Sequence, residues 1–268
     1  MLCEPKLLSV IVPAYKQQNT IAHDIKDLDA ALVQLGIPYE IIVVVDGNVD
    51  KTLTEAEKVG HNRRRVIVTG YEHNKGKGYA VRFGMARSKG EIISFIDAGS
   101  DISPDGISML LSHFRWYNAD IIVGSKRHPV SKVYYPLARR ILSFGYQVII
   151  KILFGINIRD TQSGLKLYRR EVLTDVLPRL LVKQFAFDIE ILAVANHLGY
   201  KRIFEAPLEL DFSGASSITS ANFWSIALAT LWDTLAVFYR LHILHYYDAV
   251  NKRKWRDDPE LNFKINLG

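Results

Sequence analysis

The hydrophobic and polar positions along the chain follow two alternating patterns in its first half. Short, unbroken apolar runs rich in β-branched residues are typical of strands buried in a parallel sheet. Between the first two runs, apolar residues recur at helical spacing from Ile21 to Leu35, and Gly36 is placed to end that helix. The predicted strands lie at residues 7–12, 41–45, 66–68, 92–96 and 121–123.

This alternation predicts an α/β fold with a mostly parallel central sheet and helices on both faces. Further helices are predicted at residues 75–88 and 104–117, the second with Pro104 in its first turn. Ligands of such sheets bind at the carboxyl ends of the strands. The polar residues that follow the strands are therefore the candidates for function.

The second half of the chain is more apolar and more aromatic. Residues 137–154 are largely apolar, and residues 187–198 have a helical pattern. Residues 221–247 contain seven aromatic side chains, but Asp233 and Arg240 make this segment a poor membrane span. We predict an amphipathic helix at a membrane interface, with a packing helix inside the protein as the alternative. The predicted domains are a catalytic domain at residues 1–215 and a membrane-facing helix with a basic tail at residues 216–268.

Composition and charge narrow the class of protein. With 268 residues, of which 49% are hydrophobic and 23% charged, the chain is not disordered. Its net charge is +6, yet residues 126–170 alone hold ten basic residues and one acidic residue. That stretch predicts contact with a phosphorylated substrate or anionic lipid, and we favour these over nucleic acid. The single cysteine, Cys3, excludes an internal disulfide and is compatible with a cytoplasmic location.

Carboxylates follow two of the predicted strands. Asp46 ends the second strand and Asp97 follows the fourth. A carboxylate at such a position is costly unless a ribose hydroxyl, a base N–H or a divalent cation partners it, and Mg²⁺ and Mn²⁺ favour carboxylates together with phosphates. Helix capping is the alternative role for both aspartates. The segment Asn74-Lys-Gly-Lys-Gly78 adds a glycine-rich turn before a helix, where phosphate is attracted.

Taken together, these segments resemble a known family. The order Ser9-Val-Ile-Val-Pro-Ala-Tyr15, Val45-Asp46-Gly47, Asn74-Lys-Gly-Lys-Gly78 and Ile96-Asp97-Ala98 is similar to that of family-2 glycosyltransferases with the GT-A fold. Two later segments resemble the dolichyl-phosphate glucosyltransferases, whose layout the dolichyl-phosphate mannose synthases share: Arg159-Asp-Thr-Gln-Ser-Gly-Leu-Lys-Leu-Tyr168 and Phe185-Ala-Phe-Asp-Ile-Glu190.

The resemblance implies an inverting glycosyltransferase that uses Mg²⁺ or Mn²⁺. It would move glucose or mannose from a UDP- or GDP-hexose to a polyprenyl phosphate, as a cytoplasmic protein attached peripherally to a membrane. The implied donor-binding residues are Pro13, Ala14, Tyr15, Asp46, Lys77 and Asp97. The implied catalytic residues are Asp97, Asp188 and Gln162, with Glu190 on the same acceptor-flanking helix as Asp188. The implied contacts to the acceptor phosphate are Lys126, Arg127, Arg139 and Arg140.

The sequence departs from the family pattern at its metal motif. Gly99 stands where the family has the second aspartate of Asp-X-Asp, and Val45 replaces the first aspartate of its Asp-Asp-Gly-Ser segment. We predict a metal held by Asp97, with Asp101 in place of the missing carboxylate. Two alternatives remain at this point, namely a same-fold glycosyltransferase acting on a soluble or protein-bound glycan and a non-catalytic nucleotide-sugar binder.

Overall fold

A seven-stranded sheet with helices on both faces forms the body of the protein. The computed structural model describes residues 6–99, 103–128, 131, 137–184, 186–208, 223–248, 255–261 and 263–266. The strand order is β3-β2-β1-β4-β6-β5-β7. The strands are β1 (Leu8–Ala14), β2 (Tyr39–Asp46), β3 (Val66–Tyr71), β4 (Ile92–Ile96), β5 (Ile121–Ser125), β6 (Leu165–Arg169) and β7 (Ile203–Pro207).

Strand β6 is the one departure from a parallel arrangement in this sheet. It runs antiparallel to both β4 and β5, whereas the other neighbouring pairs are parallel. Because Ile96 pairs with Leu165, the start of β6 lies at the edge where β4 ends. The predicted mostly parallel sheet is confirmed, and the antiparallel strand brings residues just before Leu165 to the carboxyl edge of β4.

Eight α-helices surround this sheet in the part of the chain that the structure describes, and a short 3-10 helix lies at Leu177–Arg179. The α-helices are α1 (Ile21–Gln34), α2 (Thr52–Gly60), α3 (Lys77–Arg87), α4 (Gly106–Trp116), α5 (Leu137–Phe154), α6 (Arg170–Val176), α7 (Phe187–His197) and α8 (Phe223–His242). A two-stranded antiparallel hairpin follows α8, with strands β8 (Trp255–Asp258) and β9 (Phe263–Asn266).

Two apolar cores lie on opposite faces of the sheet. Along β1, Val10 and Val12 face one core while Ile11 faces the other, as the two-residue period of a strand requires. Helices α1, α2 and α4 cover the first face, and α3, α5, α6, α7 and α8 contribute to the second. Burial on both faces explains why the strands are continuous apolar runs in the sequence.

Helix α8 has one face that packs on the rest of the protein and another face that is exposed. Its Thr234, Val237 and Leu241 are buried against the rest of the protein. On other positions of the helix, Leu228, Trp232 and Tyr239 are exposed by 64%, 74% and 52%. One face of α8 therefore packs inside the protein, as the alternative expects, and the membrane contact of its exposed face stays a prediction.

Candidate active site

Four charged side chains meet at the carboxyl edge of the sheet. Asp97 directly follows β4, and Lys166 lies near the start of the antiparallel β6. Lys77 and Asp188 lie in the first turns of α3 and α7. These four residues lie far apart in the sequence, and the fold collects them into one cluster, which we call the charge cluster.

Lys77 connects two carboxylates of the charge cluster. Its Nζ lies 2.9 Å from Oδ2 of Asp97 and 3.7 Å from Oδ2 of Asp188. Burial by itself lowers the pKa of a lysine, but the two carboxylates outweigh it here, so the pKa of Lys77 is raised. Lys77 is therefore a fixed positive charge at neutral pH.

Asp188 is buried together with a second ammonium group. Its Oδ1 lies 2.6 Å from Nζ of Lys166, which is completely buried and also donates to the carbonyl oxygen of Ser163 at 2.6 Å. Burial lowers the pKa of Lys166, and the neighbouring Asp188 carboxylate opposes that shift. Asp188 thus accepts from one lysine and lies near another, so no oxygen of this carboxylate is remote from a cation.

Two glycines permit the close packing that forms the charge cluster. A Cβ on Gly164 would lie 2.4 Å from Oδ2 of Asp97, and a Cβ on Gly78 would lie 2.5 Å from Cβ of Phe187. The first glycine lets the turn before β6 approach Asp97. The second lets the start of α3 lie against the start of α7, which brings Lys77 to Asp188.

Asp46 organises the glycine-rich turn that precedes α3. Its carboxylate, which is nearly buried, accepts hydrogen bonds from the Tyr71 hydroxyl, the Asn74 side chain, and the backbone N–H groups of Lys75 and Gly76, at 2.7–3.0 Å. These donors supply the partners that a buried carboxylate requires. The predicted contact of Asp46 with base or ribose stays a prediction, and the structure adds a loop-forming role.

The other predicted donor residues lie at the same edge. Pro13 and Ala14 end β1, and Tyr15 follows them with 41% of its side chain exposed.

Gln162 is exposed in the turn before β6 and hydrogen-bonds to Tyr146 of α5. Burial and the Asp188 charge raise the pKa of Tyr146 to about 12. Tyr146 also bonds to Thr234 of α8 at 2.9 Å, so α5 and α8 lie next to the charge cluster.

Among the described residues at this edge, Asp97 is the carboxylate that could bind a divalent cation. Oδ1 of Asp97 is buried and has no hydrogen-bond partner among the described residues. Within those residues no group of three or more His, Cys, Asp or Glu side chains is arranged to hold a metal. Magnesium is commonly held by one or two carboxylates together with substrate phosphates. Asp97 alone therefore fits a cation that the donor diphosphate also binds, while Asp101 lies outside the described residues.

Gly99 shows why the second carboxylate is missing. Its backbone has φ +63°, in the left-handed region that favours glycine. Its N–H donates to Asp24 Oδ2 at 2.9 Å, and a Cβ there would lie 2.8 Å from Oε1 of Gln17. The turn after Asp97 is thus built around a glycine.

The basic stretch 126–170 does not form one surface. The Arg127 guanidinium donates to the carbonyl oxygens of Ser143 and Arg159 at 2.9 and 2.7 Å. Arg169 pairs with Ile92 at the start of β4, so it lies at the edge of the sheet opposite the charge cluster. Lys126 donates its backbone N–H to Asp160 at 3.1 Å. Arg139 and Arg140 belong to the first turn of α5, but their side chains lie outside the description.

Lys166 and Gly164 were not singled out from the sequence, whereas Glu190 was predicted to lie beside Asp188 on the acceptor-flanking helix. Lys166 had been counted only among basic residues, although a lysine inside an apolar strand signals a buried partner. Glu190 is fully buried and accepts from the backbone N–H groups of Leu181 and Val182 and from the Tyr247 hydroxyl. It therefore holds the segment before α7 and is remote from solvent. Gly164 gave no signal beyond its place in the motif.

Comparison with known proteins identifies the family of this chain. The family model described as glycosyl transferase family 2 matches residues 9–177. A dolichyl-phosphate β-glucosyltransferase of Drosophila melanogaster is 34% identical over 205 residues, which cover 71% of this chain and 63% of that protein. The human dolichyl-phosphate β-glucosyltransferase is 32% identical over 242 residues, or 82% of this chain and 71% of the human protein. The chain belongs to glycosyl transferase family 2, and the predicted family and enzyme class are confirmed.

Solved structures share the fold at low sequence identity. Glucosyl-3-phosphoglycerate synthase from Mycobacterium tuberculosis, solved with Mn²⁺, UDP and phosphoglyceric acid, has a TM-score of 0.69 at 17% identity, and the match covers 98% of this chain and 87% of that one. Mannosyl-3-phosphoglycerate synthase from Rubrobacter xylanophilus has a TM-score of 0.69 at 14% identity, covering 97% and 85% of the two chains. The predicted GT-A-like fold is confirmed.

Proposed function

We propose that this protein transfers glucose from a nucleotide-diphosphate donor to a polyprenyl phosphate, with inversion at the sugar carbon. The relatives named above as dolichyl-phosphate β-glucosyltransferases support glucose over mannose and a lipid phosphate over a glycan. The structural neighbours that contain UDP support a uridine donor. The observation that carries the proposal is the pairing of both candidate carboxylates with ammonium groups.

This pairing decides which acceptor suits the site. A sugar or protein hydroxyl must lose a proton to attack, so it needs a carboxylate or histidine that accepts one. Asp97 and Asp188 each lie within 3 Å of a lysine Nζ, so each carboxylate already accepts a hydrogen bond from an ammonium group. A phosphate monoester has a second pKa near 6 and is already an anion at pH 7. A lipid phosphate can therefore attack without a general base.

The reaction exchanges one bond for another at the sugar. An oxygen of the lipid phosphate forms a bond to C1, the bond from C1 to the diphosphate oxygen breaks, and the nucleotide diphosphate leaves with the electron pair. Lys77 places a positive charge near the proposed position of the donor diphosphate. Stabilisation of the negative charge that develops on a leaving group makes a large contribution to catalysis. A divalent cation, which Asp97 would hold, supplies further neutralisation of the diphosphate when bound. Asp188, fixed by Lys166, holds Lys77 in position.

We further propose that α5 and α8 place the site against a membrane. The two helices pack together, since Tyr146 bonds to Thr234 and the ring centroids of Phe154 and Phe238 lie 6.2 Å apart. A large exposed patch of apolar side chains marks a surface that binds a membrane or another molecule. No described helix is both long enough and apolar enough to cross a bilayer. The exposed side chains, which we call the apolar face, are Phe144, Val148, Ile152, Leu228, Trp232, Leu235, Tyr239, Ile243 and Leu244.

A transfer assay tests the proposed function. The purified protein is incubated with radiolabelled UDP-glucose or GDP-mannose and Mn²⁺, with dolichyl phosphate in one arm and a soluble glucoside in the other. We expect label from UDP-glucose to enter the lipid phase, and only when dolichyl phosphate is present. Transfer to the glucoside hydroxyl without transfer to lipid would favour the soluble-glycan alternative, and donor binding without any transfer would favour the non-catalytic binder.

A further inference from the structure

The β8–β9 hairpin packs on α3, the helix whose first turn carries Lys77. Leu261, in the turn of the hairpin, is buried in the same core as Tyr79 and Phe83 of α3. The Arg82 guanidinium lies 5.4 Å from the ring centroid of Phe263. The hairpin begins 177 residues after Gly78, the last residue of the glycine-rich turn, yet it contacts the helix that follows that turn.

Glu260 connects the hairpin directly to the glycine-rich turn. Its carboxylate accepts hydrogen bonds from Nζ of Lys75 and from the hydroxyl of Tyr79. Its backbone carbonyl accepts from the Arg87 guanidinium at 2.6 Å. Three residues of the turn and of α3 thus converge on one residue of the hairpin.

Lys75 is fixed on the side of the turn that faces the hairpin. Its Nζ lies 5.1 Å from the ring centroid of Tyr71 and 4.7 Å from that of Tyr79, so two aromatic rings and one carboxylate surround the ammonium. The same residue donates its backbone N–H to Asp46 at 2.7 Å, and the Tyr71 hydroxyl donates to Asp46 at 2.9 Å. A continuous network therefore runs from Glu260 to Asp46.

We infer that Glu260 is a positioning residue for the nucleotide-sugar donor and that the C-terminal hairpin is a working part of the donor half of the site. By holding Lys75 and Tyr79, Glu260 fixes the backbone of the turn between β3 and α3, and with it the start of α3. This inference rests on the proposed function, because that function places the donor against Asp46, Lys77 and Asp97. The hairpin lies beyond residues 9–177, which the family model matches.

Hydrogen exchange tests the hold of the hairpin on the turn without any ligand. The amides of Lys75 and Gly76 donate to Asp46, so their exchange reports how often the turn opens. We expect Glu260→Gln to speed their exchange, because the variant loses the charge that pairs with Lys75. The matched control is Asp257→Asn, which removes an exposed acidic charge from the same hairpin. Unchanged exchange in Glu260→Gln, or equal acceleration in the control, would overturn the inference.

Donor affinity tests the second part of the inference, which is the role of Glu260 in donor binding. Calorimetry with UDP-glucose and Mn²⁺ should show about threefold weaker binding in Glu260→Gln, the scale of a partly exposed ion pair, with an unchanged Michaelis constant for the lipid acceptor. Lys75→Met should weaken donor binding similarly, and the double variant should be no worse than either single one. Faster exchange with unchanged donor affinity would overturn the donor role while leaving the proposed function in place. Failure of the wild type to bind UDP-glucose would overturn the proposed function itself, and the donor role with it.

Discussion

The ammonium group of Lys77 lies 2.9 Å from one carboxylate oxygen of Asp97, whose other oxygen is buried without a partner among the described residues. One side of this carboxylate is thus satisfied by the protein and the other is available to a ligand. A buried oxygen in that state is costly unless something binds it. The same lysine lies 3.7 Å from Asp188, so one ammonium group connects the two candidate carboxylates.

The first prediction concerns Asp97. Asp97→Asn keeps the shape of the side chain but removes the charge that faces the proposed cation and diphosphate. We expect glucose transfer to fall by at least about tenfold, or roughly 1.4 kcal/mol of transition-state stabilisation. Asp105→Asn, at an exposed position beyond the same turn, is the matched control. Wild-type transfer by Asp97→Asn, with its near-ultraviolet dichroism unchanged, would refute the assignment.

The second prediction concerns the buried pair of Lys166 and Asp188. Removing one member of a buried ion pair leaves the other uncompensated, so Lys166→Met should lower the free energy of unfolding by about 3 kcal/mol in urea titrations. Adding Asp188→Asn should recover much of that loss without restoring transfer. Lys151→Met, at an exposed lysine of α5, is the control.

The same pair changes how an Asp188 variant is interpreted. Asp188→Asn alone leaves the buried Lys166 ammonium without its carboxylate partner, so part of this variant is expected to unfold. We expect transfer to fall by about ten- to hundredfold. This fall reports on positioning when the rate is divided by the concentration of folded protein. A double variant no more stable than Lys166→Met would contradict the compensation between these two residues.

The third prediction concerns pH and Glu190. Burial raises the pKa of this carboxyl above its ordinary value of 4.5, and the hydrogen bonds from Tyr247, Val182 and Leu181 oppose that shift. Between pH 4.5 and the raised value, the folded state binds more protons than the unfolded state, so stability falls as pH rises through that window. Glu190→Gln cannot ionise. The free energy of unfolding of the wild type, measured relative to this variant, should therefore decrease above pH 4.5.

Urea unfolding at several pH values measures this difference. Glu171→Gln, at an exposed position in the first turn of α6, serves as the control and should show no such slope. A wild type that gains stability relative to Glu190→Gln as pH rises would show that the hydrogen bonds outweigh burial at Glu190.

The fourth prediction concerns Gly99. Both Gly99→Asp and Gly99→Ala place a Cβ at φ +63°, which costs about 1 kcal/mol of stability. If the turn is built around glycine, restoring the family aspartate gains no metal site. We expect Mn²⁺ affinity, measured by calorimetry in the presence of UDP, to be no higher in Gly99→Asp than in Gly99→Ala. Tighter Mn²⁺ binding by the aspartate variant would show that the turn can still present a second carboxylate.

The fifth prediction concerns the apolar face. Trp232 on α8 and Trp116 on α4 are exposed by 74% and 83%, but only Trp232 belongs to the apolar face. Trp232→Ser should weaken binding to liposomes containing anionic lipid by about tenfold, since burying a large apolar side chain contributes roughly 1.5 kcal/mol or more. Trp116→Ser should leave binding unchanged. Equal effects of the two substitutions in flotation assays would contradict the proposal that the apolar face lies against the membrane.

The fold was largely predictable from the sequence because buried strands and amphipathic helices leave local patterns. The predicted strand at Ile92–Ile96 is confirmed residue for residue, and the helices predicted at residues 75–88 and 104–117 agree with α3 and α4 to within a few positions. Strands β6 and β7 were not predicted, because charged residues interrupt their apolar pattern. The direction of β6 follows from its pairing with β4 and β5, which no local pattern encodes.

The candidate site was predictable as a set of residues but not as an arrangement. Asp97, Lys77 and Asp188 were predicted from motifs, and their binding and catalytic roles remain predictions to be tested by the substitutions above. The basic stretch 126–170 shows the limit of charge counting, because the fold sends Arg169 and the charge cluster to opposite edges of the sheet. Charges close in sequence are close in space only where the chain does not cross the sheet between them.

The sequence by itself determined the alternation of strands and helices, the family and the identity of the motif residues, because these depend on residues near one another in the chain. Only the tertiary structure decided which charges are paired. Lys77 meets Asp188 because Gly78 lets α3 lie against α7, and Lys166 meets the same carboxylate because β6 turns back along β4. Glu260 reaches Lys75 through the hairpin in the same way. Such pairings depend on close contact between segments that are distant in sequence, and packing alone sets that contact.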